Sequence, residues 1–145
     1  NLTGRTTIGQ LAAVAATARL FLGVDSMPMH LAAAVDTPVL ALFGPTILWR
    51  WAPWSEALVA LENPVAYEQY YQAGAYHLGP HRVIQRRWPC LPCYQAGCGG
   101  SKISKCLDDI TPGEVIRHLE EMLAGNTTIP KAFGEIGSAT PPPRG

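Results

Sequence analysis

Charge is scarce in this sequence. Charged residues make up 15% of its 145 positions, and 11 Lys+Arg balance 11 Asp+Glu to a formal net charge of zero. A nucleic-acid binder would normally carry a basic excess, so no nucleic-acid partner is expected. Long apolar runs are missing too. Arg19 interrupts the first candidate and Asp36 the second, leaving nothing long enough to span a bilayer. Neither G-x-G-x-x-G nor G-x-x-x-x-G-K-[ST] occurs, so the usual dinucleotide and P-loop fingerprints are absent. The chain opens on "NLTGRTT" with no initiator Met, signal peptide or targeting pattern, as expected of a fragment of a longer protein. No internal repeat is visible.

What is present is apolar. Hydrophobic residues make up 48% of the chain, and its length suits one domain with a real core. Apolar positions at Ile8, Leu11, Ala12 and Ala15 predict a helix over 6–18, capped by Thr6 or Thr7. "RLFLGV" reads as a strand ending at Asp25, residues 27–35 as a short helix stopped by "DTP", and "VLALF" as a second strand closed by "GPT". Two strands that are apolar throughout, joined by a helix, predict a parallel sheet buried on both faces, hence an α/β domain. Further on, "ALVAL" at 57–61 and "HRVIQ" at 81–85 read as strands, and 62–80 as a loop or inserted helix. A last helix is expected at 112–124, capped by Thr111 with Pro112 in its first turn. The domain is expected to cover 1–125, and the tail 126–145, poor in apolar residues, to be disordered.

The polar chemistry collects between the first two strands. Asp25 stands at a strand end, Ser26 suits an N-cap, and Pro28 fits the first helical turn. In open parallel sheets ligands bind outside the carboxyl ends of strands. Free N–H groups of Met27, Met29 and His30, with the positive end of the helix dipole, would suit a phosphate or diphosphate. Asp25 would accept hydrogen bonds from sugar hydroxyls, and His30 would donate to either group. Spacing alone leaves two readings open, a ligand cradle and simple helix capping.

All four cysteines, Cys90, Cys93, Cys98 and Cys106, fall in one segment as C-x2-C-x4-C-x7-C. Three readings stand side by side: a structural zinc on four thiolates, free thiols, and two disulfides, the last disfavoured in a reducing compartment. His81, Arg82, Arg86 and Arg87 form a local basic cluster, able to meet phosphates or simply to line a solvated strand edge. His77 and His118 read as surface residues. Trp49, Trp51 and Trp54 suit stacking on a base or sugar, or packing of a loop onto the sheet.

The stretch from "TTIGQLAAVAATARLFLGVDSMPMHLAAAVDT" through "PVLALFGPT" resembles the C-terminal half of the family 9 glycosyltransferases, the ADP-heptose:lipopolysaccharide heptosyltransferases. Their signature is Asp-Ser/Thr-Gly-x-x-His-Leu-x-Ala-Ala, then a strand and Phe-Gly-Pro-Thr. The likeness resumes at "CLPCYQAGCGGSKISKCLDDITPGEV", and "GCGGSK" and "WRWAPWS" are most similar to the branch that adds the third heptose. Met27 departs from the pattern, since most members carry Gly there, and its side chain would crowd a diphosphate.

The resemblance implies a Rossmann-like three-layer domain with a parallel sheet, the C-terminal half of a two-domain GT-B enzyme. It further implies an ADP-heptose donor, a lipopolysaccharide core acceptor held by an N-terminal domain, and transfer with inversion. Asp25 would bind sugar hydroxyls, Ser26 and the Met27 amide the diphosphate, and His30 the phosphate or sugar. Gly44, Pro45 and Thr46 would line the same cleft. The catalytic base belongs to the N-terminal domain in that family, and no segment here matches it, so this chain alone is expected to be inactive. No cofactor is required. The place of work would be the cytoplasm, at the inner face of the inner membrane, with peripheral membrane contact. Without the resemblance, a non-catalytic nucleotide-sugar-binding or metal-stabilised interaction module fits the same residues.

Overall fold

Thr7 and Gln10 start the chain's first helix, α1 (Ile8–Thr17), by satisfying each other's backbone. The Gln10 amide donates to Thr7 Oγ1 at 3.2 Å, and Gln10 Oε1 accepts from the Thr7 amide at 2.9 Å. A cap of this kind contributes about 1 kcal/mol. The structure, a computed structural model, describes residues 1–55 and 68–125. The expected strand at 57–61 and the expected tail at 126–145 lie outside the described residues.

Strand β1 (Phe21–Val24) follows, then helix α2 (Met27–Ala34) and strand β2 (Val39–Phe43). Helix α2 ends before Pro38 acts on it. Asp36 turns into the left-handed region at φ 60°, the Asp36 amide donates to the Ala33 carbonyl and the Thr37 amide to that of Ala32. That pattern closes the last carbonyls of a helix, with Asp standing where Gly is commoner. Buried Thr37 then donates its hydroxyl to the Ala15 carbonyl at 2.8 Å, fastening α1 to the end of α2.

Strands β1 and β2 pair in parallel from Phe21↔Val39 to Val24↔Leu42. On the other side of β2 lies a strand from far along the chain, His81–Gln85, also parallel, from Leu40↔Arg82 to Phe43↔Gln85. These three carry the parallel sheet that the apolar runs predict. Beyond them the expectation of a wholly parallel sheet needs correction. Residues 71–78, read from sequence as loop or helix, form a hairpin of β3 (Tyr71–Gln72) and β4 (Ala75–Leu78). With His81–Gln85 as β5, the order is β1-β2-β5-β4-β3, and the last two pairings are antiparallel. The hairpin turns on Ala73 at φ 50° and Gly74 at φ 90°, the two positive angles a two-residue hairpin loop requires. Tyr71 and Tyr76 face each other across it, ring centroids 4.8 Å apart and edge-on.

Both faces of the central strands are covered, whereas β1, expected to be buried on both faces, leaves Leu22 and Val24 exposed because no described helix packs over that face of the edge strand. Ala15 of α1 and Met29, Ala32 and Ala33 of α2 pack with Val39, Ala41, Phe43 and Val83 on one face. On the other, Met122 of the last helix packs with Leu40, Ala75 and Ile84. Truncating a fully buried Met29 or Phe43 to Ala would cost about 2–5 kcal/mol. Between lie two single-turn helices, α3 (Leu48–Trp51) and α4 (Lys105–Asp108), before α5 (Pro112–Gly125). Thr111 caps α5 as expected, its hydroxyl accepting from the Glu114 amide at 3.3 Å. His118, expected on the surface, is instead fully buried, because it shares the inward stripe of α5 with Val115, Leu119 and Met122. No helix among the described residues is long and apolar enough to cross a membrane.

Candidate functional site

Parallel pairing of β1 with β2 sets their C-terminal ends side by side, so the loop after Val24 meets the turn after Phe43. The contact is specific: Thr46 donates its hydroxyl to Asp25 Oδ2 at 2.8 Å, across 21 residues of sequence. A carboxylate offers about four acceptor positions, and Thr46 takes one of them. Two residues singled out in different segments of the sequence therefore form one polar unit at the strand ends.

Ser26 occupies the N-cap position of α2, yet its side chain does not cap. The hydroxyl turns back and donates to the Val24 carbonyl at 3.0 Å, leaving the helix start uncapped by a side chain. Of the three amides expected to face a ligand, those of Met29 and His30 both donate to the Ser26 carbonyl, at 3.1 and 3.3 Å. The Met27 amide is what remains, since Pro28 has no N–H. The Met27 side chain is exposed, while Met29 is wholly buried in the core. His30 is half-buried and meets Trp51 of α3 edge-on, centroids 6.5 Å apart. Asp25, Ser26, Met27, His30 and Thr46 thus share one corner of the sheet, with Trp51 beside them.

The Gly44-Pro45-Thr46 turn is held from below and behind. Gln85, buried at the end of β5, donates through Nε2 to the Gly44 and Thr46 carbonyls, both at 2.9 Å. Pro45 offers its carbonyl to the amides of Cys93 and Tyr94, each at 3.1 Å. Leu107 closes over Gly44: a Cβ on Gly44 would sit 2.9 Å from Leu107 Cδ1. The sequence reading missed Gln85. Its one signal was an amide at the end of an otherwise apolar strand, which burial obliges to find partners.

The basic cluster does not form an anion receptor. Arg82 pairs with Glu121, Arg87 with Glu68, and Arg86 with both Asp109 and Glu114. Those arginines lie on and after β5, the middle strand, rather than on a strand edge. The side-chain bonds from Arg86 hold the Glu114 carboxyl below the usual carboxylate range. Buried His81 donates to the Trp54 carbonyl through Nε2 at 2.9 Å and accepts from the Val39 amide at Nδ1, 3.2 Å. That pairing requires the neutral ring, and burial lowers its pKa below the usual 6.5. His77, also expected on the surface, is half-buried, and its Nε2 has no hydrogen-bond partner among the described residues.

The cysteine segment is built onto the same corner. All four thiols are free, with Cys90 exposed, Cys93 and Cys98 half-buried and Cys106 buried. Gly97 makes the loop tight, since a Cβ there would overlap the Ser101 carbonyl at 1.6 Å. Burial, then the neighbouring Cys98, push the Cys106 thiol up. Among the described residues no three His, Cys, Asp or Glu side chains are grouped so as to hold a metal ion.

The chain is similar in sequence to known proteins. A model of glycosyltransferase family 9 (heptosyltransferase) matches residues 1–73. Lipopolysaccharide heptosyltransferase 3 of Escherichia coli is 48% identical over 58 residues, 40% of this chain and 17% of that protein. Lipooligosaccharide heptosyltransferase 2 of Campylobacter jejuni is 32% identical over 123 residues, 85% of this chain and 31% of that protein. Lipopolysaccharide heptosyltransferase 1 of Pseudomonas aeruginosa is 29% identical over 138 residues, covering 86% of this chain and 32% of that protein. The chain spans about a third or less of the length of each of these relatives. No solved structure gives a significant match.

Proposed function

This chain belongs to glycosyltransferase family 9, the heptosyltransferases, and from that membership we propose that it is the nucleotide-sugar-binding half of an inverting heptosyltransferase. The donor is ADP-heptose and the acceptor the lipopolysaccharide inner core. In this reading the chain is the C-terminal Rossmann-like half of a GT-B enzyme, and a carboxylate base is supplied by the facing domain. The reaction would run at the cytoplasmic side of the inner membrane. The chain by itself binds donor without turning it over.

The observation that carries the reading is the Thr46–Asp25 hydrogen bond. It joins the two halves of the family signature, Asp-Ser…His and Phe-Gly-Pro-Thr, at the carboxyl ends of neighbouring parallel strands, where such sheets bind ligands. Thr46 fixes one carboxylate oxygen of Asp25, so the carboxylate is oriented before a sugar hydroxyl arrives. The Met27 amide, at the positive end of α2, faces the place a diphosphate would take, and His30 stands one turn further in. With Ser26 turned toward Val24, the diphosphate is met by backbone and His30 rather than by the Ser26 hydroxyl. When the glycosidic bond of the donor breaks, charge collects on the departing diphosphate, and these donors would stabilise it there.

Calorimetry with ADP, UDP and NAD on the purified protein tests this. ADP should bind best, and Asp25→Ala or His30→Ala should each weaken an ADP-sugar by about tenfold, the value of one charged hydrogen bond. Equal binding of all three nucleotides, or no loss in either variant, would refute it. Structural zinc on the four cysteines is proposed from their spacing alone and requires the segment to draw the thiols together, since no three of them are grouped in this structure. Native mass spectrometry showing only bare protein after growth in zinc would remove it.

A further inference from the structure

The Asp25 corner occupies the carboxyl ends of the strands; their amino ends hold a cavity of about 380 Å³. It opens where β5 begins, beside the Gly79-Pro80 turn after β4. Exposed Asp36, Trp54 and Pro80 edge its mouth, and buried Ala33, Ser55 and His81 form its floor. Ligand pockets run from roughly 300 to 1,000 Å³, so this space suits a small organic group. Ser55 is 5% exposed, and its Oγ has no hydrogen-bond partner among the described residues. Buried polar atoms nearly always find a partner, so this hydroxyl points to a polar group that enters the cavity. At the mouth, Asp36 forms no ion pair among the described residues. Both nitrogens of His81 are spent, on the Trp54 carbonyl and the Val39 amide, so it offers only an uncharged ring. Among the described residues no Lys or Arg lines the cavity.

The wall thus holds one negative charge, one unused hydroxyl and an indole, with no positive charge to balance them. An anion would be repelled by Asp36, and a hydrocarbon would leave Ser55 unpaired. A metal ion would find a single carboxylate, too few oxygen ligands for a hard cation. An organic cation with N–H donors meets every group: charge-assisted bonds to Asp36, a hydrogen bond to Ser55, and the Trp54 ring beside its charge. A guanidinium suits this better than an ammonium, because its five donors are spread over a plane that stacks on aromatic rings. We propose that this cavity is a binding site for one alkylguanidinium cation, held by Asp36, Trp54 and Ser55. Its source is either a small free guanidine or an arginine side chain of another protein. The site uses no residue of the donor cradle, so either reading can fail without the other.

The test is a saturation-transfer NMR titration of the purified protein with three probes that share one stem: butylguanidinium, butylammonium and butyrate. Butylguanidinium should bind best, butylammonium more weakly and butyrate not at all. Asp36 stands at φ 60°, a region Asn also adopts, so Asp36→Asn removes the charge and keeps the turn. That variant should weaken butylguanidinium about tenfold, with ADP affinity unchanged. Ser55→Ala should weaken it about threefold, while the urea midpoint of the free protein holds or rises, because an unpaired buried hydroxyl is deleted. A merely structural Ser55 would lower the midpoint and leave binding alone. N-acetylarginine methylamide binding as well as butylguanidinium assigns the site to an arginine side chain, and butylguanidinium binding alone assigns it to a free guanidine. Both results uphold the site. Butyrate binding as well as butylguanidinium, undiminished affinity in either variant, or no transfer to butylguanidinium overturns the proposal. Butylguanidinium binding with no ADP binding sinks the donor reading alone.

Discussion

Replacing Gln85 by Leu isolates the clamp that shapes the site corner. Leu keeps most of the volume and adds apolar surface, so packing changes little. What disappears is one amide that serves two carbonyl oxygens, those of Gly44 and Thr46, at 2.9 Å each. Gln85 is only 7% exposed, so water does not readily take its place. Each buried acceptor left without a donor costs about 1–3 kcal/mol, and the added apolar burial returns about 1 kcal/mol. For the two acceptors together the net loss is about 1–5 kcal/mol. Urea unfolding followed by tryptophan fluorescence should show a lower midpoint at unchanged slope. Gln85→Glu sharpens the test. At neutral pH its carboxylate would face two carbonyls and should destabilise more than Leu. Burial against two carbonyls raises that carboxyl's pKa above the ordinary range, and as pH falls through it the protonated acid regains one donor and should recover part of the loss, measured against wild type at the same pH. A Gln85→Leu loss under about 0.5 kcal/mol, or a Glu variant that behaves like wild type at neutral pH, would refute the clamp.

The remaining predictions concern protons, sterics and thiols. Burial lowers the folded pKa of His77, His81 and His118 below 6.5, so the unfolded chain takes up protons that the folded chain refuses. Their contribution is therefore complete above pH 6.5 and is lost as pH falls through the folded values; urea midpoints at pH 7.5 and 5.5 check the sign, and a higher midpoint at 5.5 contradicts it. Gly44→Ala should cost about 1–3 kcal/mol by pressing on Leu107, and Leu107→Ala should remove most of that extra cost in a double-mutant cycle. With a maleimide probe, Cys90 should label first and Cys106 last, and Gly97→Ala should abolish that ranking by opening the loop; simultaneous labelling in wild type would contradict the burial order.

Much of the fold could be read from the chain because its signals are local. Thr7 and Gln10 lie three residues apart, "VLALF" is apolar throughout, and Thr111 with Pro112 marks the start of α5; these elements appear where the sequence puts them. The parallel pairing of β1 and β2 follows from the short helix between them. The hairpin at 71–78 escaped, because its turn is Ala73-Gly74 and no strong turn pair announces it. His118 escaped because a polar letter in the inward stripe of α5 looks like a surface residue until the sheet is placed against it.

For the site, sequence determined the membership and the types of group: an acid at one strand end, a histidine one turn into a helix, a threonine after the next strand. Tertiary structure alone decided which of them meet. Ser26 turned away from the helix it was expected to cap, because the Val24 carbonyl lay within reach of its hydroxyl. Gln85 arrived beneath the Gly44–Thr46 turn because β5, some forty residues downstream, pairs beside β2. Three arginines lost their claim to an anion once carboxylates from the described 68–125 region reached them. A side chain's type is fixed by its own position, but its partner is chosen by pairing across long loops, and the periodicity of one segment carries no information about that choice.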